Sequence, residues 1–148
     1  EVSTMAGPSV KEGMERTATL RDSRLDRLVD WRRAYPSAEC TGTGTVGGKE
    51  CWMVEMKPEE GNPLTFYYEK DSGFLVKIST VMQSAMGDVP VDTYLVEHRE
   101  IDGVLLPWKI VVESMGSERT ITNQSVEHNV DIPEGTFDIP EEISALLE

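Results

Sequence analysis

Turn sequences recur at short intervals along most of this chain, and they constrain its fold more than any other feature. An Asp-Gly pair at 102–103, a Gly-Gly pair at 47–48 and a Lys-Asp-Ser-Gly stretch at 70–73 separate segments rich in Val, Ile, Thr, Tyr and Phe. Such spacing is typical of antiparallel strands joined by tight hairpins, and consecutive strands usually pair into a meander. The pattern predicts strands near 38–46, 50–57, 63–69, 74–84, 90–101, 104–115 and 118–130.

The first 35 residues follow a different pattern, which is typical of short helices. Ser9 and Glu12 resemble a capping box, and Ser23 is the predicted cap of a second helix. Pro36 should end this segment, because proline keeps the preceding residue out of the helical conformation. The chain is therefore predicted to be α+β, with one or two short N-terminal helices before a seven-stranded antiparallel meander sheet.

Length and composition predict one folded domain. The chain has 148 residues, which suits a single hydrophobic core. Within residues 1–148 we expect a helical part at 1–35, a sheet at 36–130 and an irregular tail at 131–148. The chain does not begin with Met, so we expect it to be a mature protein or a fragment of a longer one.

The net charge limits the classes of partner. At a formal charge of −13, the chain should repel nucleic acid and anionic lipid headgroups. No apolar run approaches the roughly 20 residues that a membrane helix needs. We therefore expect neither nucleic-acid binding nor membrane insertion, while a cationic partner stays open.

The two cysteines flank the predicted Gly47–Gly48 turn. A two-residue hairpin there places Cys51 opposite Gly44 and Cys40 opposite Glu55. The cysteines then share a face but lie roughly 13 Å apart along the ladder. This separation exceeds what a disulfide spans, so two free, half-buried thiols are expected.

The Asp-Gly hairpin predicts which residues share a face of the sheet. Its register pairs Leu95 with Ile110 and Thr93 with Val112 on one face, and Tyr94 with Val111 and Val96 with Lys109 on the other. If Gly116–Ser117 is the next turn, Val112 opposes Ile121 and Ile110 opposes Asn123. Both faces then carry apolar groups, although a solvated face normally alternates with polar residues. The N-terminal helices can cover only one face, so sheet curvature, a ligand, a second copy or chain missing from this fragment should cover the remainder.

No residue pattern predicts a reaction or a metal site. The two histidines, His98 and His128, are expected roughly 12 Å apart by ladder spacings and so cannot share a metal. The chain lacks a GxSxG nucleophile elbow, zinc-ligand spacing and a complete phosphate-binding loop. We predict a non-enzymatic protein without catalytic residues, cofactor or metal.

Apolar and aromatic side chains are the remaining candidates for function. One interpretation is that they form an ordinary core. The other is an apolar pocket, since ligand sites are mostly apolar with a few polar groups. The candidate ligand-binding residues are Trp52, Phe66, Tyr68, Leu95, Trp108, Ile110 and Val112.

Several stretches resemble a known family. They are a Gly-Lys-Glu-Cys hairpin at 48–51, "YYEKDSGFLVK" at 67–77, "REIDGVLLP" at 99–107 and a closing "VEHNVDIPEGTFDIPEE" at 126–142. Together they resemble bacterial LolA-like domains, which are related to outer-membrane lipoprotein-sorting proteins, over about residues 30–142. The matching motifs are structural turns, and no position matches a defined acyl-contacting residue of the carriers.

The resemblance implies a fold, a ligand class and a compartment. It implies that the sheet curves into an unclosed half-barrel, whose concavity holds acyl chains in the lipoprotein carriers. The expected partner is an apolar small molecule or a lipoprotein acyl chain, in the periplasm or another extracytoplasmic compartment of a bacterium. The alternative is a protein-interaction or scaffold domain of a larger envelope or secreted protein, which pairs as a homodimer or with an envelope protein.

Overall fold

The structure is a computed structural model that describes residues 2–3, 7–8, 10–24, 30–84, 87–144 and 146. Its chain contacts divide into two compact units. One unit contains residues 1–25 and 127–148, and the other contains residues 26–126. The second unit holds the sheet and every candidate ligand-binding residue.

The larger unit is an antiparallel meander sheet of seven strands, as the turn spacing predicts, and it does not close into a barrel, as the family resemblance implies. Each strand pairs with the next one along the chain, so the first and the last strand form the two edges. A single helical turn, α2 (Trp31–Ala34), precedes the sheet. The strands are β3 (Ser37–Val46), β4 (Lys49–Lys57), β5 (Leu64–Glu69), β6 (Leu75–Ser84), β7 (Gly87–Ile101), β8 (Val104–Ser114) and β9 (Ser117–Thr122).

The β7–β8 hairpin has the predicted turn and register. Asp102 and Gly103 both have positive φ angles, 49° and 79°, which is the backbone that a two-residue type I′ turn requires. Leu95 pairs with Ile110 and Tyr94 with Val111. The short-range turn signal therefore determines which residues lie on each face of this hairpin.

The predicted turn at the β8–β9 connection is wrong by one position. The turn residues are Met115 and Gly116, with φ angles of 51° and 76°, and not Gly116–Ser117. Ile110 therefore pairs with Ile121, and Val112 pairs with Arg119. Because the register error is two residues, Ile121 still lies on the predicted face. The last strand also ends at Thr122, well before the predicted residue 130.

A β-bulge changes the predicted relation between the two cysteines. Cys51 pairs with Gly44 as expected, but the register shifts between Cys40 and Gly42, so Cys40 pairs with Val54. The extra residue puts Cys40 on the opposite face from Cys51. Both thiols are free, as predicted, but neither is half-buried, because Cys40 is exposed and Cys51 is buried.

One face of the sheet carries the core. Residues paired across neighbouring strands point to the same side, and the alternation places apolar residues of β4 to β7 together. Tyr35, directly after α2, is fully buried against them. We call this side the apolar face and the other the polar face. The core consists of Ala34, Tyr35, Met56, Leu64, Phe66, Ile78 and Leu95.

The smaller unit contains short elements. It has a two-stranded pairing of β1 (Val2–Ser3) with β2 (Gly7–Pro8), the helix α1 (Gly13–Asp22) and the helical turn α3 (Glu141–Ser144). The helix α1 ends at Ser23, whose hydroxyl donates to the Leu20 carbonyl. The predicted second helix falls largely on 25–29, outside the described residues, as does Ser9 of the predicted capping box. No described helix is long and apolar enough to cross a membrane.

Candidate functional site

All seven candidate ligand-binding residues lie on the apolar face. Trp52 pairs with Tyr68, and Leu95 pairs with Ile110, in ladders whose alternation continues from strand to strand. Phe66 and Tyr68 are two positions apart on β5, and Trp108 and Val112 each lie two positions from Ile110 on β8. The alternation pattern therefore brings together a set of residues that the sequence spreads over 61 positions, from 52 to 112.

Three of the seven lie in the core or pack against it. Phe66 is fully buried, with its ring centroid 5.6 Å from that of Tyr35 in an edge-on contact and 6.3 Å from that of Tyr68. Leu95 is buried in the same core. Burial raises the pKa of the Tyr68 phenol, with a smaller contribution from Tyr35. These side chains therefore belong to the packed core, and a ligand would have to displace their neighbours to reach them.

The two candidate tryptophans have contrasting environments. Trp108 is only 9% exposed, and the Arg99 guanidinium lies 4.4 Å from its ring centroid. Trp52 is 48% exposed, with the Lys70 ammonium 4.7 Å from its ring centroid. Trp108, on β8, therefore contributes to packing. Trp52, on β4 of the same face, presents an aromatic surface to solvent.

The apolar face continues beyond the core. Ile110 and Val112 are half-buried, and Ile121, opposite Ile110, is 42% exposed. We call these three residues the apolar strip; they lie on β8 and β9, outside the core around Phe66. The strip is a part of the apolar face, outside the core, that remains accessible to another molecule.

The polar face is organised around Lys77. Its ammonium lies 2.8 Å from Asp92 Oδ2 and within 5.2 Å of the ring centroids of Tyr67 and Tyr94. The Ser79 hydroxyl donates to Asp92 Oδ1 at 2.6 Å. Burial alone would raise the pKa of Asp92, but the hydrogen bonds from Lys77 and Ser79 lower it below its usual value. The aliphatic stem of Lys77 and the rings of Tyr67 and Tyr94 thus form part of the apolar surface that the sequence predicts on this second face.

A cleft lies on the polar face at the β8–β9 turn. It has a volume of about 340 Å³ and includes none of the seven candidate residues. Asp92, Glu113 and Glu118 line it and oppose one another directly across β7, β8 and β9. We call these three residues the acidic row. The remaining lining residues are Pro90, Ser114, Met115, Gly116 and Ser117.

The acidic row is absent from the sequence-based prediction because of the register error. A turn at Gly116–Ser117 would place Glu113 opposite Thr120, whereas the actual turn places it opposite Glu118. The sequence carries only a weak signal for the actual turn, because Met115 adopts a φ of 51°, which methionine rarely takes. Like charges directly opposite each other destabilise a sheet, so the row needs a compensating interaction.

A second polar cluster closes the β5–β6 hairpin. Glu69 is 8% exposed, lies 2.8 Å from the Lys49 ammonium, and accepts a hydrogen bond from the Ser72 hydroxyl at 2.8 Å. The hydrogen bond from Lys49, followed by that from Ser72, lowers the pKa of Glu69. The same carboxylate raises the pKa of Lys49. These contacts hold the 70–73 turn against β4.

We expect this cluster to make the fold sensitive to acid. A carboxyl group whose pKa is lowered by folding stabilises the folded state above its unfolded pKa, and this contribution is lost as pH falls through the folded pKa. For Glu69 the loss begins near its ordinary value of 4.5 and is complete below the lowered one. Melting temperatures between about pH 7 and pH 3 should therefore fall less steeply for Glu69→Gln than for the parent.

The control for this prediction is Glu59→Gln, at an exposed loop position. It should leave the slope of melting temperature against pH unchanged. A Glu69→Gln protein with the parent's slope over the same range would contradict the prediction.

Two further observations bear on function. Among the side chains that the structure describes, no three His, Cys, Asp or Glu residues are grouped so that they could hold a metal ion. Comparisons with known proteins found no matching family model, no matching curated protein and no matching solved structure.

Proposed function

We propose that this chain is a non-enzymatic binding module that holds an apolar ligand on the apolar face of its sheet. The ligand class is a lipid, a lipoprotein acyl chain or another apolar small molecule. The observation that carries the proposal is the apolar strip, where Ile110, Val112 and Ile121 extend the apolar face past the packed core and stay partly accessible.

The location within the apolar face follows from burial. Phe66 and Leu95 are enclosed in the core and serve as its support. The cleft at the β8–β9 turn lies on the opposite face and has an acidic lining, which does not suit an acyl chain. We therefore assign the ligand to the strip, with Trp108 packed beside it as a rigid wall.

The setting is proposed from the resemblance to LolA-like domains. A bacterial envelope protein in the periplasm or another extracytoplasmic compartment would meet lipids and lipoproteins. An antiparallel sheet that does not close leaves one side open to such a ligand, as in the carriers that the sequence resembles.

The test is a titration of delipidated protein with a fluorescent fatty acid. Ile110→Ser should weaken binding by about fivefold to tenfold, because it removes apolar contact area from the strip. Val111→Ser is the matched control, since Val111 is also half-buried and lies next to Ile110 in the chain but on the polar face. A flat titration of the parent, or equal losses in both variants, would reject the proposal.

A second candidate is a protein-interaction domain, and the open edge at β9 favours it. All six residues of β9 are exposed, and no described strand pairs with its outer side. Exposed strand edges are templates for pairing with another chain. Light scattering that shows a dimer, or capture of one specific envelope partner, would favour this reading over ligand binding.

A further inference from the structure

The direction of the backbone groups in β9 follows from its pairing. The Asn123 amide donates to the Trp108 carbonyl at 3.0 Å, so this residue points its backbone groups toward β8. In an antiparallel strand, successive residues direct these groups to alternate sides. Ile121 and Arg119 therefore also point toward β8, whereas Glu118, Thr120 and Thr122 point their amides and carbonyls to the free edge.

The same three residues have their side chains on the polar face. Glu118 opposes Glu113, Thr120 opposes Val111 and Thr122 opposes Lys109. The free edge thus offers a run of backbone donors and acceptors beside the end of the acidic row. Within the described part of the chain, no backbone hydrogen bond reaches this side of β9.

The acidic row is only partly neutralised inside the protein. Asp92 is paired with Lys77 at 2.8 Å. Among the described residues, neither Glu113 nor Glu118 has an ion-pair partner, although the Thr120 hydroxyl donates to Glu118 Oε1 at 3.4 Å. The two carboxylates that lack a cation are the two nearest the free edge, and they line the 340 Å³ cleft.

We propose that the free edge of β9 is the docking site of an extended cationic peptide segment, which adds to the sheet as a further strand with a lysine or arginine opposite Glu118. The added strand would satisfy the outward backbone groups, and its basic side chain would enter the cleft and neutralise the end of the acidic row. Its alternate, apolar side chains would lie beside Ile121 and extend the apolar face.

Charge complementarity selects this occupant over a second copy of the chain. A copy docking through its own β9 would bring a second acidic row to the edge, and each chain carries a net charge of −13. The same charge would attract a cationic segment at long range and make its association weaker as salt increases. The proposal is independent of ligand binding on the apolar strip.

The probe for the test is a fluorescently labelled peptide of about nine residues that alternates lysine with valine, so that one side of its strand is basic and the other apolar. Binding is followed by fluorescence anisotropy at low and physiological salt. The control peptide keeps every lysine but replaces the valines with proline, which holds the peptide in a left-handed helix of three residues per turn that cannot pair along a strand, at unchanged charge. The alternating peptide should bind, and the proline peptide should not.

Two protein variants test the charge contribution. Glu118→Gln should weaken binding by about twofold to fivefold, the range for an exposed ion pair, and Glu118→Lys should weaken it further. Glu100→Gln is the matched control, because it removes one exposed strand carboxylate far along the chain from the row. It should leave the affinity unchanged.

Two further variants test the backbone contribution. Thr120→Pro removes an outward amide without removing a bond to β8, a position where edge strands tolerate proline. It should abolish peptide binding, whereas Thr120→Val should retain it, with circular dichroism confirming that both variants fold. Peptide binding should also slow amide hydrogen exchange at Glu118, Thr120 and Thr122 in the parent protein.

Three outcomes would overturn the proposal. One is the absence of binding of the alternating peptide at low salt. Another is equal binding of the alternating and proline peptides, or of the two Thr120 variants, which would show attraction to the acidic row without strand addition. The third is a dimer in light scattering that Thr120→Pro abolishes, which would identify a second copy as the occupant.

Discussion

Phe66→Ala should reduce the free energy of unfolding by about 3–5 kcal/mol, the range for removing a buried aromatic ring. Phe66 is fully buried and contacts both Tyr35 and Tyr68 through its ring. The variant leaves a cavity between the sheet and Tyr35, the residue directly after α2. Movement of this short helical turn can fill the cavity only in part. Domains of this size have about 5–15 kcal/mol of total stability, so the loss is large. Urea denaturation followed by circular dichroism measures it.

The matched control is Phe137→Ala. Phe137 is 81% exposed, so the same truncation should change the free energy of unfolding by less than about 0.5 kcal/mol. Similar midpoints for the two variants would mean that Phe66 is not at the centre of the core.

Trp108→Ala should be the second most damaging change, with an expected loss of about 3–5 kcal/mol. The indole is 9% exposed, and the Arg99 guanidinium covers its ring at 4.4 Å. Truncation removes a large buried surface on β8 and the partner of Arg99. The urea concentration at the unfolding midpoint should fall strongly. The slope of the unfolding free energy against urea concentration should stay near that of the parent.

Trp52→Ala is the comparison for this prediction. Trp52 is 48% exposed and interacts with Lys70 at the surface, so its truncation should cost about 1 kcal/mol or less. Equal losses for the two tryptophans would contradict the burial difference on which the assignment of the ligand surface depends. Fatty-acid binding by Trp52→Ala then reports on the exposed ring without a folding defect.

The two proposed surfaces are separable by experiment. The apolar strip is formed by side chains of β8 and β9, whereas the peptide site is formed by outward backbone groups of β9 and by the acidic row on the other face. Ile110→Ser should therefore affect fatty-acid binding and leave the lysine-valine peptide unaffected. Glu118→Gln should have the opposite effect. Ile121, on β9 opposite Ile110, is adjacent to both sites.

Short-range turn chemistry made much of the sheet predictable. Asp102–Gly103 and Gly47–Gly48 each join strands at the expected positions, because positive φ at both turn residues is cheap for glycine and accessible to Asp. A turn of known length determines the register, and the register determines the faces. The seven candidate residues share one face because the observed registers align the alternation of neighbouring strands.

The errors arose where a turn or an irregularity has a weak local signal. Met115 adopts φ of 51° ahead of Gly116, a conformation that methionine rarely takes, so Gly116–Ser117 was the more natural prediction. The bulge between Cys40 and Gly42 likewise lies within an otherwise regular strand pattern. In both places the pairing of whole strands outweighs the preference of one residue.

The sequence alone determined that this protein is an antiparallel meander of seven strands, because most connections are turns specified by a short stretch of local sequence. Burial was decided only by the tertiary structure. The position of Tyr35 decides which of the seven candidate residues on the apolar face become part of the core. The acidic row requires both the β7–β8 register and the β8–β9 register. Both are properties of residues distant in the chain, and so no local pattern contains them.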